Sequence, residues 1–333
     1  MRCYLAAQRL LYLAISLFML VSCTPSPKEK KPAYTLTIAT LTGPSAISMV
    51  KMMQDSMLND STRMQFIVKS EPNLVKPMVL QQQVDLAILP TNMASILFNK
   101  GARYRVAAIP VWGTLYLFGT DSSITSWKSL RGKHVYLMGR GMTPDVMFRF
   151  LVRKNGLDPA RDLMTDYTFP THLELGNAVA AGKAPLGVIS EPMVSLAVAK
   201  NPRVRNLLSF ETEWNRVFND TVPFAQTALL VSDSLLKRHP GWLISFMQQY
   251  DSCIRWANNN PALAARLVAK YHILPDSALA AKAIPGCRLA FREAWNMRKG
   301  ISNYLQVFYD FDPAITGGKI PSDEFYINPD SLK

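Results

Sequence analysis

The side chains that could do chemistry in this chain fall into no catalytic pattern. His134, His172, His239 and His272 lie far apart. There is no HExxH pair to set two imidazoles on one helix face, no GxSxG turn to expose a serine nucleophile and no Walker phosphate loop. No cysteine is set beside a base that would activate it. The spacing argues against an enzyme, a metal centre and a bound cofactor. A different chemistry recurs at four places where an apolar run ends in a polar turn and a helical pattern follows: Leu41-Thr42-Gly43-Pro44-Ser45, Leu89-Pro90-Thr91-Asn92, Gly139-Arg140-Gly141-Met142-Thr143-Pro144-Asp145 and Ser190-Glu191-Pro192. Outside the carboxyl end of a strand, a helix N-terminus presents unpaired N–H groups and the positive end of its dipole, a setting for a small polar or anionic ligand. The candidate contacts are Thr42, Gly43, Ser45, Thr91, Asn92, Gly141, Met142 and Thr143, with Trp112 able to stack on a planar group. Asp145 and Glu191 join them, although acids at helix starts are favourable whatever else they do. Should both face the ligand, a bare anion fits less well than a polar heterocycle or a cationic group.

Such junctions need elements to hold them, and the hydrophobic pattern alternates short β-like runs with helical stretches, as in parallel sheets covered by helices. Strands are expected at 34–39, 64–68, 85–89, 104–109 and 115–118, with helices at 45–58, 72–81 and from Thr91 or Asn92 to Asn99. The texture changes around 121–130, and a second series follows: strands 134–138, 166–169 and 186–190, with helices from Thr143 to Asn155, at 172–181 and at 191–200. A strand returns at 224–231, before helices at 234–238, 241–259, 261–271 and 293–308. A chain of 333 residues exceeds what one core usually serves. The expected division is one lobe of 34–118 plus 225–333 and a second of 119–224, with two chain crossings as a hinge. Each lobe then contributes two of the four junctions to one cleft.

The N-terminal residues bear on the compartment. Arg2 and Arg9 accompany an apolar run from Leu10 to Val21 that is too short to span a bilayer. Leu20-Val21-Ser22-Cys23 resembles the bacterial lipobox, in which cleavage before the cysteine leaves it to carry acyl chains. Residues 1–22 read as a leader, Cys23 as the lipidation site, and 23–33, with Lys28, Lys30, Lys31 and several prolines, as a solvated tether. Each buried lipid CH₂ contributes about 0.8 kcal/mol, so two or three chains would anchor the protein durably. The expected place is the cell envelope, facing the periplasm or exterior. Cys253 and Cys287 then remain either as a disulfide closing a loop of about 34 residues or as two buried thiols. The net charge of +13 falls to +11 without Arg2 and Arg9. The basic residues are scattered and carry no RNA-binding signature, so nucleic acid is not an expected partner.

The runs Val84-Asp85-Leu86-Ala87-Ile88-Leu89-Pro90-Thr91-Asn92 and Ile109-Pro110-Val111-Trp112-Gly113 are similar to those of ABC solute-binding proteins of the nitrate, sulfonate and taurine type. So are Ser129-Leu130-Arg131-Gly132-Lys133, the glycine turn with Thr143-Pro144-Asp145, and Glu191-Pro192. That group includes binders of thiamine-pyrimidine precursors, and the resemblance extends over about 34–310. It implies a type II periplasmic-binding-protein fold: two α/β lobes joined by two crossover strands, with a ligand cleft between them. It also implies a monomeric clamp that closes on a small molecule and works with a membrane permease and a cytoplasmic ATPase. A ligand-sensing adaptor lipoprotein is the alternative outside transport. An enzyme acting on a pyrimidine precursor is a further one, although the clustered cysteines of the related synthases are absent here.

Overall fold

The computed structural model describes residues 34–219 and 222–332, so the leader, Cys23 and the tether lie outside the described residues. The chain begins with β1 (Tyr34–Leu41), α1 (Pro44–Ile47), α2 (Val50–Asp55), β2 (Met57–Asn59), β3 (Thr62–Lys69), α3 (Pro72–Leu80), β4 (Leu86–Pro90), α4 (Thr91–Asn99) and β5 (Tyr104–Trp112). Next come β6 (Leu115–Gly119), β7 (His134–Leu137), α5 (Thr143–Lys154), β8 (Met164–Asp166), α6 (His172–Ala180), β9 (Leu186–Ser190), α7 (Met193–Lys200), β10 (Arg205–Ser209) and α8 (Phe210–Phe218). The remainder is β11 (Ala225–Ser232), α9 (Asp233–Arg238), α10 (Pro240–Asn259), α11 (Pro261–Lys270), α12 (Ser277–Ala283), β12 (Leu289–Glu293) and α13 (Arg298–Phe311).

The strands form two sheets, one of seven in the order β12-β5-β11-β4-β1-β3-β2 and one of five in the order β10-β6-β9-β7-β8. In the first, β1 runs parallel to β3 and β4, and β11 is antiparallel to both β4 and β5. In the second, β7 is parallel to β8 and β9, while β6 is antiparallel to β9. Central β4 shows why its run is continuously apolar. Ala87 and Leu89 enter the core on one face, Leu86 and Ile88 the core on the other, and all four are inaccessible. Successive strand side chains point to opposite faces, and here both faces are covered by helices.

The chain passes from the large sheet to the small one between Trp112 and Leu115 and returns between Phe218 and Ala225. The two crossings are bonded to each other. The Gly113 N–H donates to the Phe224 carbonyl (3.2 Å), and the Thr114 N–H and hydroxyl both donate to Gln226 Oε1 (2.8 and 2.9 Å). Beside them Trp214 meets Phe224 and Tyr304 edge-on at 5.7 and 6.1 Å, and Phe224 stacks on Tyr304 at 5.9 Å. This aromatic group joins the second series of elements to α13 of the first.

Several expectations are corrected. Strand β6, expected with the first lobe, belongs to the second sheet, because it pairs with β9 and β10. The helix expected over 45–58 is two short helices followed by a strand. The Ser48 hydroxyl donates back to the Ser45 carbonyl (2.6 Å), and Ser56 adopts the left-handed conformation that ends α2. Elements β10, α8, α12 and β12 were not anticipated. Cys253 and Cys287 form no disulfide: both are free and buried. Their thiols lie near backbone carbonyls, of Ser48 at 3.1 Å and of Ala283 at 3.3 Å. Burial pushes the Cys253 thiol up to about 11 and the Cys287 thiol well above its ordinary value. Since the thiolate is the reactive form, both should resist iodoacetamide in the native protein and react promptly after denaturation. Mass mapping of the two cysteine-containing peptides before and after denaturation checks this.

Candidate functional site

All four sequence-identified junctions lie where a strand gives way to a helix. On the first lobe, β1 enters α1 through Gly43, whose φ of +92° suits a residue without a side chain. Thr42 is exposed and caps the strand edge, its N–H and hydroxyl both donating to the Lys69 carbonyl at 2.8 and 3.2 Å. Ser45 is buried in the first turn of α1. At the next junction, Thr91 is wholly buried and its hydroxyl has no hydrogen-bond partner in the protein. Four further buried hydroxyls share this condition among the described residues, those of Thr62 and Tyr304 and, at the ends of strands near this junction, those of Thr40 on β1 and Thr227 on β11. Thr227 pairs in register with Pro90, next to Thr91. An unpaired buried hydroxyl costs about 1–3 kcal/mol, so three of them near the carboxyl ends of β1 and β4 mark a place where a bound polar group would be favourable. Asn92 donates to the Ile315 carbonyl at 3.5 Å. Trp112 is placed differently from its expected stacking role. It is 2% exposed, its indole N–H reaches the Ile109 and Ala290 carbonyls, and its ring is covered by the Arg292 guanidinium.

On the second lobe, Gly139 and Gly141 both adopt positive φ, at +40° and +76°. Met142 is exposed and packs over Gly139, where an added Cβ would lie 2.6 Å from its sulfur. Thr143 faces Tyr304 of α13, whose buried hydroxyl makes no hydrogen bond, and α5 packs against this helix of the other lobe. Asp145 is fully buried and its acceptor sites are taken by its own lobe. It accepts from the Gly141 N–H (2.8 Å), Arg149 Nε (2.7 Å) and the Tyr167 hydroxyl (2.6 Å). Its structural role is to hold the glycine turn onto α5. Ser190, ending β9, lies 3.3 Å from His172 Nε2, and burial lowers that imidazole to about 4, so it is neutral at ordinary pH.

Glu191 is the acid that lies between the lobes. It is 5% exposed, and its N–H donates to the Thr114 carbonyl at the first crossing (3.1 Å). Its carboxyl oxygens are both 3.0 Å from Ser195, one from the N–H and one from the hydroxyl. Burial raises its pKa, and the Ser195 bonds only partly oppose that. The backbone of Gly286 sits directly on this carboxyl, since a Cβ there would be 3.0 Å from Oε1. The neighbouring Pro192 meets the Gly43 turn, its Cδ 3.4 Å from where a Gly43 Cβ would stand. Arg288 follows on the same segment, with its Nε 2.9 Å from Glu211 Oε2 and its charge near Tyr116.

The structure therefore brings Gly43, Thr143 and Glu191 to contacts across the lobes, while Asp145 and Trp112 are committed within their own surroundings. Sequence reading missed Thr40, Tyr116, Ser195, Glu211, Thr227, Gly286 and Arg288. Ser195 alone had a signal, four residues after Glu191 on a helix. A groove of about 520 Å³ lies elsewhere, between α6, α7 and the 273–282 segment, and is lined mainly by apolar side chains such as Leu173, Leu196, Leu274 and Leu279. Among the described residues no group of three or more His, Cys, Asp or Glu side chains is gathered as a metal ion would need. The arrangement around Asp145 predicts that Asp145→Ala, which strands Arg149 and Tyr167, lowers unfolding free energy by about 3 kcal/mol in urea titrations.

The comparisons with known proteins agree with this geometry. In overall structure the chain is similar to an ABC transporter from Parabacteroides distasonis, at 26% identity and a TM-score of 0.79 over 89% of this chain and 99% of that one. It is also similar to the periplasmic aliphatic sulphonate binding protein SsuA from Escherichia coli, at 16% identity and 0.68 over 84% and 88%. A third likeness is to the alkanesulfonate-binding protein SsuA from Xanthomonas axonopodis pv. citri bound to MOPS, at 16% and 0.64 over 88% and 96%. No curated protein matches the sequence. The NMT1/THI5 like family model matches residues 62–264, more than half of the chain, and with the two-lobed fold and the junction motifs this establishes that the chain belongs to the NMT1/THI5-like family.

Proposed function

We propose that this chain is the extracytoplasmic solute-binding lipoprotein of an ABC importer, a clamp that captures a small polar organic or anionic molecule between its lobes and hands it to a membrane permease driven by a cytoplasmic ATPase. The ligand class is that of sulfonates, nitrate or pyrimidine precursors. The observation that carries the reading is the meeting of strand-end junctions from opposite lobes, the Gly43 turn against Pro192, with α5 also packed on α13. Helix N-termini there offer N–H groups without requiring a buried cation. The unpaired hydroxyls of Thr40, Thr91 and Thr227 support a polar ligand. The lobes divide at the two crossings, and the clamp acts as a monomer. Among the described residues no helix is long and apolar enough to cross a membrane, and attachment in this reading rests on acyl chains at Cys23.

Thermal unfolding against MOPS and other sulfonates, nitrate and thiamine-pyrimidine precursors tests the clamp. A true ligand at about 100 times its dissociation constant adds about 2.7 kcal/mol and raises the midpoint by several degrees; turnover of a bound compound contradicts the reading. For the anchor, metabolic labelling with a fatty-acid analogue should mark the wild-type chain and not the Cys23→Ser variant. Equal labelling of both removes Cys23 from the account.

A further inference from the structure

Glu191 places a carboxyl in the seam between two lobes that must separate to admit a ligand. Its second-lobe partners are the N–H and hydroxyl of Ser195. From the first lobe it is covered by the Gly286 backbone, so closely that a methyl group there would lie 3.0 Å from the carboxyl oxygen. Among the described residues, the ionisable groups around it offer no cation that lowers its pKa. Cys287 follows Gly286 and is a buried thiol, and Tyr116 on β6 is a buried phenol. Glu211 on α8 is a second carboxylate, and the Arg288 guanidinium is paired with it. His172, beside Ser190, is neutral. A carboxylate enclosed there would be a desolvated charge without a cation, which is costly, whereas a carboxylic acid is compatible with every contact. The Ser195 hydroxyl can turn to accept from the protonated oxygen, although the bond it donates favours the ionised form.

Taking the solute-binding reading as its basis, we infer that Glu191 enters the closed clamp as the neutral acid, so that lobe closure takes up one proton from solvent and weakens as pH rises. When the lobes part, Gly286 lifts off the carboxyl, water reaches it, and it ionises in the ordinary range for glutamate. Below that range Glu191 is neutral in both states and closure keeps its full strength. As pH climbs through the value at which the closed-state carboxyl ionises, the advantage is lost, because burial raises that value. The neutral form also removes the charge that would repel an anion, which reconciles an acid in the seam with an anionic ligand.

Small-angle scattering of the ligand-free chain between pH 4 and pH 8 tests this without knowledge of the ligand. The wild-type radius of gyration should be that of the compact form at low pH and increase with pH, the closed-to-open ratio falling about tenfold for each pH unit between the open-state and closed-state titrations. Glu191→Gln, a permanent neutral analogue, should stay compact throughout. Ser195→Ala, which removes one donor to the carboxylate, should shift the opening to higher pH with the same two limits, and it stands in if the Gln variant fails to fold. A radius that does not change with pH, or one that changes equally in Glu191→Gln, overturns the inference. Silence across the ligand panel contradicts the solute-binding reading alone.

Discussion

At the two chain crossings the Gln226 side chain accepts both the backbone N–H and the hydroxyl of Thr114, and Gly113 bonds Phe224 alongside. Two sheets can act as one device only if the segments between them are held in fixed relation and still permit rotation. Short crossings tied by three hydrogen bonds meet both demands, because a few residues can absorb a change in backbone angles while their mutual bonds persist. The Glu191 N–H donates to the carbonyl of the same Thr114. The residue that follows β9 is thus held against the first crossing itself.

From that fixed point the charge logic of the cleft follows. Helix N-termini supply a positive field distributed over backbone N–H groups, which needs no desolvated lysine or arginine. The acids have separate duties. Asp145 is spent on Gly141, Arg149 and Tyr167 and stiffens a turn. Glu211 holds Arg288 across the lobes. Glu191 alone is enclosed by the partner lobe's backbone.

Much of the fold is legible in the sequence because its central strands are doubly buried and its junctions carry proline, glycine and capping residues. The run 85–89 is legible as a strand from its residues, against an observed Leu86–Pro90, and the helix after Thr143 is legible too. The failures have local causes. Strand β10, Arg205–Ser209, is an edge strand with exposed positions and no clean alternation, so its pattern is that of a loop. Strand β6 is apolar at every position and buried throughout, which leaves nothing in its residues to say which sheet it joins; only the pairing with β9 decides. For the site, sequence identified the junctions but not what faces them. Gly286 and Arg288 come from a segment almost 100 residues beyond Glu191 with no pattern of its own, and their role depends on how one lobe is laid against the other. Asp145 and Glu191 looked alike, each an acid at a helix start, and differ only in what surrounds them.

The two core thiols have a consequence for how such a chain reaches its working place. Cys253 sits on α10 and Cys287 just before β12, each sealed among apolar side chains and unbonded. Nothing in the described fold waits on an oxidant, a disulfide isomerase or a particular redox poise outside the cytoplasm. For a chain exported as proposed, folding at the destination would then rest on hydrophobic collapse and helix docking, equally available to a cell living with oxygen and to one living without it.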